Sequence, residues 1–134
     1  MKDRIWIVGG SSGIGVEMVK IWLESGHFVI ASAQNASKTK ELLALKHIYE
    51  SNLQIIDIDV TSMESVSKAV PQAWKRFDGI DVWFYNAAVY EVMSTKEWDI
   101  EHFEAMTQVN YLGAVRVMTE LMPYFERQES ICRY

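Results

Sequence analysis

Four consecutive apolar residues, Ile5-Trp6-Ile7-Val8, run without a spacer into Gly9-Gly10-Ser11-Ser12-Gly13-Ile14-Gly15. This junction constrains the fold more than any other feature of the chain. A run that is apolar at every position, rather than at alternate ones, belongs to a strand covered on both faces. A glycine-rich turn from such a strand into a helix is the usual opening of a βαβ unit. Gly9 takes the chain sharply off the strand, Gly13 lets backbone approach a diphosphate with no Cβ between them, and Gly15 lets the helix pack closely on the sheet. The N–H groups at the helix start lie at the positive end of its dipole and suit a phosphate; Ser11 and Ser12 add hydroxyl donors.

The same alternation continues. Ile14, Met18, Ile21 and Trp22 recur at helical spacing over 13–25, and Gly26 supplies a stop. Residues 27–32 form a second strand, and Ser37 is placed to cap a helix over 37–49. A third strand at 53–58 precedes a helix over 62–77, whose inward face is Val66, Ala69, Val70, Ala73 and Trp74; Pro71 argues against an unbroken helix there. Residues 80–85 are a fourth, nearly continuous apolar strand. The stretch 99–125 is one long helix or two consecutive ones, with Met106, Val109, Gly113, Val117 and Leu121 packing on the sheet and an acidic start. Ser130-Ile131-Cys132 begins a fifth strand. Strands alternating with helices predict an α/β fold with a doubly wound parallel sheet, and right-handed crossovers leave few other topologies.

Composition excludes several alternatives. With 134 residues, 49% apolar and 23% charged, the chain has the balance of one globular domain over 1–134 rather than of a disordered tail. A net charge of -5 disfavours nucleic acid as the main partner. The single Cys132 forms no internal disulfide, and no apolar stretch has the length of a signal-peptide core or a membrane span, so the cytoplasm is the expected location. His27, His47 and His102 are widely spaced and predict no metal site. Asp57 and Asp59 alternate at a strand end, where paired acid–base carboxylates are one reading and a ligand contact by Asp59 the other.

Four short motifs stand in order along the chain: glycines at 9, 13 and 15, Asp59-Val60-Thr61, Tyr85-Asn86-Ala87-Ala88, and Asn110 within Val109-Asn110-Tyr111-Leu112-Gly113. Together they resemble the short-chain dehydrogenase/reductase family, whose glycine spacing differs from that of other Rossmann proteins. Val8 stands where many members have Thr, Tyr85 replaces an Asn, and Ala88 replaces a Gly. The resemblance implies a Rossmann fold and an NAD(P) cofactor. It places Gly9, Ser11, Ser12, Gly13, Ile14 and Gly15 at the diphosphate, Asp59 and Val60 at the adenine end, and Asn86, Ala87 and Ala88 along the cofactor beside the fourth strand. At the end of the second strand Gln34 takes the position where NADP-preferring members often carry Arg; no carboxylate is present, and Lys38 and Lys40 are near, so NADP is favoured over NAD.

In that family hydride passes between nicotinamide and a carbonyl or alcohol carbon. A Tyr is the acid or base, a Lys four residues later lowers its pKa, a Ser orients the carbonyl, and a helix Asn helps place a relay water. Of these Asn110 alone has a counterpart here, and no Tyr is followed four positions later by Lys. The expectation is a chain truncated after about the fifth strand, which carries the cofactor site without the Ser/Tyr-x-x-x-Lys chemistry and does not turn over by itself. A small carbonyl or alcohol substrate would be met only by a longer chain. The alternatives are a non-catalytic NAD(P)-binding or dimerising module and a degenerate fragment. The resemblance also implies a homo-oligomer through the outward face of the helix at 99–125.

Overall fold

The computed structural model describes residues 1–128. In chain order the elements are β1 (Arg4–Val8), α1 (Gly13–Glu24), β2 (Phe28–Ala33), α2 (Lys40–Ile48), β3 (Leu53–Asp57), α3 (Met63–Arg76), β4 (Val82–Tyr85), α4 (Ile100–Asn110) and α5 (Leu112–Arg127). The four strands are parallel in the order β3-β2-β1-β4. Every side chain on such a sheet needs a helix above or below it, which is why the strands read as unbroken apolar runs. One face carries Ile7, Val29, Ala31 and Leu53 under α1 and α2. The other carries Trp6, Val8, Ile30 and Ile56 under α3 and α5. The doubly wound sheet expected from the sequence is therefore present; the fifth strand expected at 130–132 lies outside the described residues.

Three local expectations are corrected. The buried face of α1 is Gly15, Val16, Val19 and Leu23, while Ile14 and Ile21 are exposed. The helix has aliphatic residues on both sides, and Gly15 decides its rotation: a Cβ there would collide with the carbonyl oxygen of Gly9. Ser37 does not cap α2, because a 3₁₀ turn at Ala36–Lys38 intervenes and Thr39 is the N-cap. Pro71 sits within an unbroken α3, which buries Val66, Ala69, Val70 and Ala73 as predicted.

The stretch at 99–125 is two helices. They part at Tyr111, and the carbonyls freed at the end of α4 find other donors: Tyr85 Oη donates to Val109 O at 2.5 Å and Arg116 Nη1 donates to Gln108 O at 3.1 Å. Gly113 is required at this junction, since a Cβ would strike the Tyr85 hydroxyl and Val60.

At the opposite end of the sheet Arg4 forms a two-pronged pair with Asp81, Nε to Oδ2 at 2.9 Å and Nη2 to Oδ1 at 2.8 Å. The side-chain amide of Gln128 brackets the backbone of Ile80, accepting its N–H at 3.2 Å and donating to its carbonyl at 2.7 Å. These contacts fasten the start of β4 to β1 and to the end of α5. Asp81→Ala removes both prongs of the pair and the acceptor of the Arg4 N–H, leaving the half-buried guanidinium its bonds to Phe77 O, Asp78 O and Gln128, and is expected to lower stability by about 2–3 kcal/mol. The check is the urea midpoint at unchanged slope; an unmoved midpoint would contradict this role.

Candidate functional site

With the strand order reversing beside β1, a crevice opens at the carboxyl ends of β1 and β4, where neighbouring crossovers run to opposite faces. A cleft of about 400 Å³ lies there. Its floor starts from Ser32, a fully buried polar residue at the end of β2. The Ser32 carbonyl accepts the N–H groups of Gly9 at 2.7 Å and Gly10 at 3.1 Å, and its hydroxyl accepts the Trp6 indole N–H at 2.9 Å. The turn after β1 is thereby held down on β2. Asn86 holds it from the other side: its N–H donates to Val8 O at 2.8 Å and its amide to Gly9 O at 3.1 Å. Gly9 has a φ of 94°, and a Cβ on it would run into the backbone at Asn86 and Ala87.

Above this base the loop opens outward. Ser12 is the extended N-cap of α1, with no side-chain cap bond, and Gly13 has a φ of 53° with nothing within 4 Å of where its Cβ would stand. The opposite wall is the turn after β3. Asp59 Oδ1 accepts the Thr61 N–H at 3.0 Å and the Thr61 hydroxyl at 2.6 Å, while the Asp59 N–H donates to Ser65 Oγ at 2.8 Å. The other Asp59 oxygen accepts no hydrogen bond from the described residues. Val89 and Val109 close the cleft at its far end. Asn110 clamps this end by donating to Val89 O and accepting the Val89 N–H, both at 2.8 Å.

Of the residues singled out from sequence, Gly9, Ser11, Ser12, Gln34, Asp59, Val60, Asn86, Ala87 and Ala88 line one cleft. Gly13, Ile14 and Gly15 form the first turn of α1 behind it, with Ile14 pointing to solvent. Asn110 stands outside the lining, one residue beyond Val109. Ser32 was missed, although a hydroxyl inside the apolar run of β2 was a signal for it. Val89 lines the cleft and was missed; Thr61, quoted within the Asp59-Val60-Thr61 motif without a role of its own, lines it too. Asp57 is no partner of Asp59. Its two oxygens take the N–H and the hydroxyl of Ser37, each at 2.7 Å, fixing the turn that follows Gln34.

Burial pushes the Tyr85 hydroxyl up to about 12, with Arg116 pulling weakly the other way. The folded state favours the neutral phenol, so this contribution to stability is whole below about pH 10 and is lost as pH rises toward 12. Tyr85→Phe is expected to cost about 1 kcal/mol at neutral pH and to abolish that alkaline decline, read from urea melts across the range; a decline of the same slope in both proteins would contradict this. The two glycines behind the loop separate scaffold from opening. Gly15→Ala should cost about 1–3 kcal/mol through its clash. Gly13→Ala should cost about 1 kcal/mol through its left-handed backbone alone, with nothing for the added Cβ to strike. Urea melts of the two variants check both figures.

An open parallel sheet with a glycine-rich turn at its switch point defines the class of dinucleotide-binding α/β proteins. The short chain dehydrogenase family matches residues 3–130, and the chain belongs to that family. An oxidoreductase of Botryotinia fuckeliana, BOA17, is 28% identical over 128 residues, covering 95% of this chain and 46% of its own. An uncharacterized oxidoreductase of Schizosaccharomyces pombe, C663.09c, is 32% identical over 130 residues, covering 93% of this chain and 50% of its own. The solved structure of ElxO with NADP bound superposes with a TM-score of 0.83 at 26% identity, over 95% of this chain and 52% of that one. The chain thus spans about half the length of the relatives it matches.

Proposed function

We propose that this chain supplies the cofactor-binding half of an NAD(P)-dependent oxidoreductase acting on a carbonyl or alcohol carbon. The supporting observation is the cleft itself, in which the glycine loop, the Asp59 turn and the end of β4 face one another. The residues fit a dinucleotide: open space at Gly13, a hydroxyl on Ser12 free of any cap bond, and an Asp59 oxygen left over for an amine donor. Ser11, Ser12 and the first turn of α1 would hold the diphosphate, Asp59 and Val60 the adenine, and Asn86, Ala87 and Ala88 the stretch toward the nicotinamide. The nicotinamide, when bound, supplies the hydride chemistry. Asn110 orders the Val89 segment at that end through its paired hydrogen bonds. Tyr85 is no substitute for the family's acid–base Tyr, because it keeps its proton to about 12 and donates it to the Val109 carbonyl.

NADP is the favoured cofactor. Gln34 lines the cleft at the end of β2 in the run Ala33-Gln34-Asn35, which carries no carboxylate, Lys38 and Lys40 are exposed nearby, and ElxO, a relative in fold, is described with NADP bound. Calorimetric titration tests this: NADPH should bind more tightly than NADH, and Gln34→Arg should widen the gap by about tenfold. Tighter NADH would overturn the preference, and no binding of either would overturn the cofactor reading. Turnover of a carbonyl substrate is expected only with the Ser and Tyr-x-x-x-Lys elements supplied.

One observation favours self-association in addition. Tyr111 at the N-cap of α5, and Val115 and Met118 on that helix, are 65%, 40% and 40% exposed and follow one another at helical spacing. Light scattering should find a dimer that Val115→Glu dissociates; a monomer at all concentrations would remove this reading.

A further inference from the structure

We propose that Arg116 is a positioning residue for the adenine end of the cleft, bracing the turn after β3 against the end of α4. The inference rests on the cofactor reading above. Arg116 Nη1 donates to Val60 O at 3.0 Å and to Gln108 O at 3.1 Å, and Nη2 donates to Gln108 Oε1. Val60 lines the cleft, and Gln108 directly precedes Val109, which lines it too, so one guanidinium ties the turn after β3 to the end of α4 beside the cleft. The hydrogen bonds made by Asp59, Thr61, Ser62 and Ser65 lie within that turn and the first turn of α3, and they set the turn's shape. Arg116 is 56 residues away in sequence from Val60 and sets where the turn stands relative to the opposite wall. Gly113, three residues earlier on α5, presses on the same point, since a Cβ there would come within 2.8 Å of Val60 Cγ2.

The residue type follows from the geometry. A planar fork reaches two carbonyls and an amide oxygen at once, whereas an ammonium holds no fixed angle between them. Placing the cation at the end of α4 also answers that helix's carbonyl dipole. A helix-terminus stabiliser and a positioning residue make different predictions. The first affects melting alone; the second changes how well the adenine half of a ligand is held.

The test is titration of 5′-AMP and of nicotinamide mononucleotide, followed by NMR, against the protein as its source cell makes it and against three variants. Arg116→Met should weaken 5′-AMP by about tenfold and leave nicotinamide mononucleotide unchanged. Arg116→Lys should fall between the two, and Gln108→Leu, which releases a single bond, should weaken 5′-AMP less than Arg116→Met does. If Arg116→Met does not fold, the ratio of the two affinities in Arg116→Lys and Gln108→Leu decides on its own. Unchanged 5′-AMP affinity with a lowered melting temperature, or an equal loss for both probes, would overturn the proposal. Unaltered protein that binds neither probe would overturn the cofactor reading and this inference with it.

Discussion

Two N–H groups in succession, those of Gly9 and Gly10, converge on the carbonyl of buried Ser32. On this convergence the cleft depends. A turn leaving β1 could rise in many directions, and the shared acceptor commits it to lie across the end of β2. Asn86 then reaches the Gly9 carbonyl from β4, so the loop is stitched to both neighbours of its own strand. With the loop fixed, the position of α1 follows from Gly15, which tolerates no side chain against the Gly9 carbonyl. The order of causes runs from a backbone acceptor to a loop, from the loop to a helix, and from the helix to a concave site.

Charge has a smaller part in the fold than shape. The sheet is apolar on both faces, and the Arg4–Asp81 pair sits at the end far from the cleft, where it closes the sheet rather than serving chemistry. Near the cleft the polar groups are mostly committed to backbone. Asn110 holds Val89, Tyr85 holds Val109, Arg116 holds Val60 and Gln108, and Asp57 holds Ser37. Such groups order walls and leave the interior to a ligand. Among the described residues Ser11, Ser12, Gln34 and the second oxygen of Asp59 are the exceptions, and all four belong to cleft-lining residues.

The strands and the glycine loop were legible in the sequence because unbroken apolar runs and glycine spacing report on backbone demands that few other residues meet. The buried face of α1 was not legible. Ile14, Met18 and Ile21 compete with Val16, Val19 and Leu23 for the inward side, and periodicity cannot choose between two apolar stripes; the close approach at Gly15 chooses. The break at Tyr111 is marked in the sequence only by Gly113 two residues on, because the Tyr85 and Arg116 hydrogen bonds that answer the freed carbonyls come from 26 and 5 residues away. Ser37 looked like a cap because serine caps helices, yet here it serves the Asp57 carboxylate. Motif reading found the lining of the site and two of its braces, Asn86 and Asn110, whereas Ser32 and Arg116 carried no motif.

Hydrogen exchange with saturating NADPH reads where the ligand sits rather than whether it binds. Slowed exchange is expected at 11–15, 59–61 and 86–89, with little change along β3 and the far end of the sheet. Protection confined to other segments, or none at saturation, would contradict a dinucleotide site at the β1–β4 crevice.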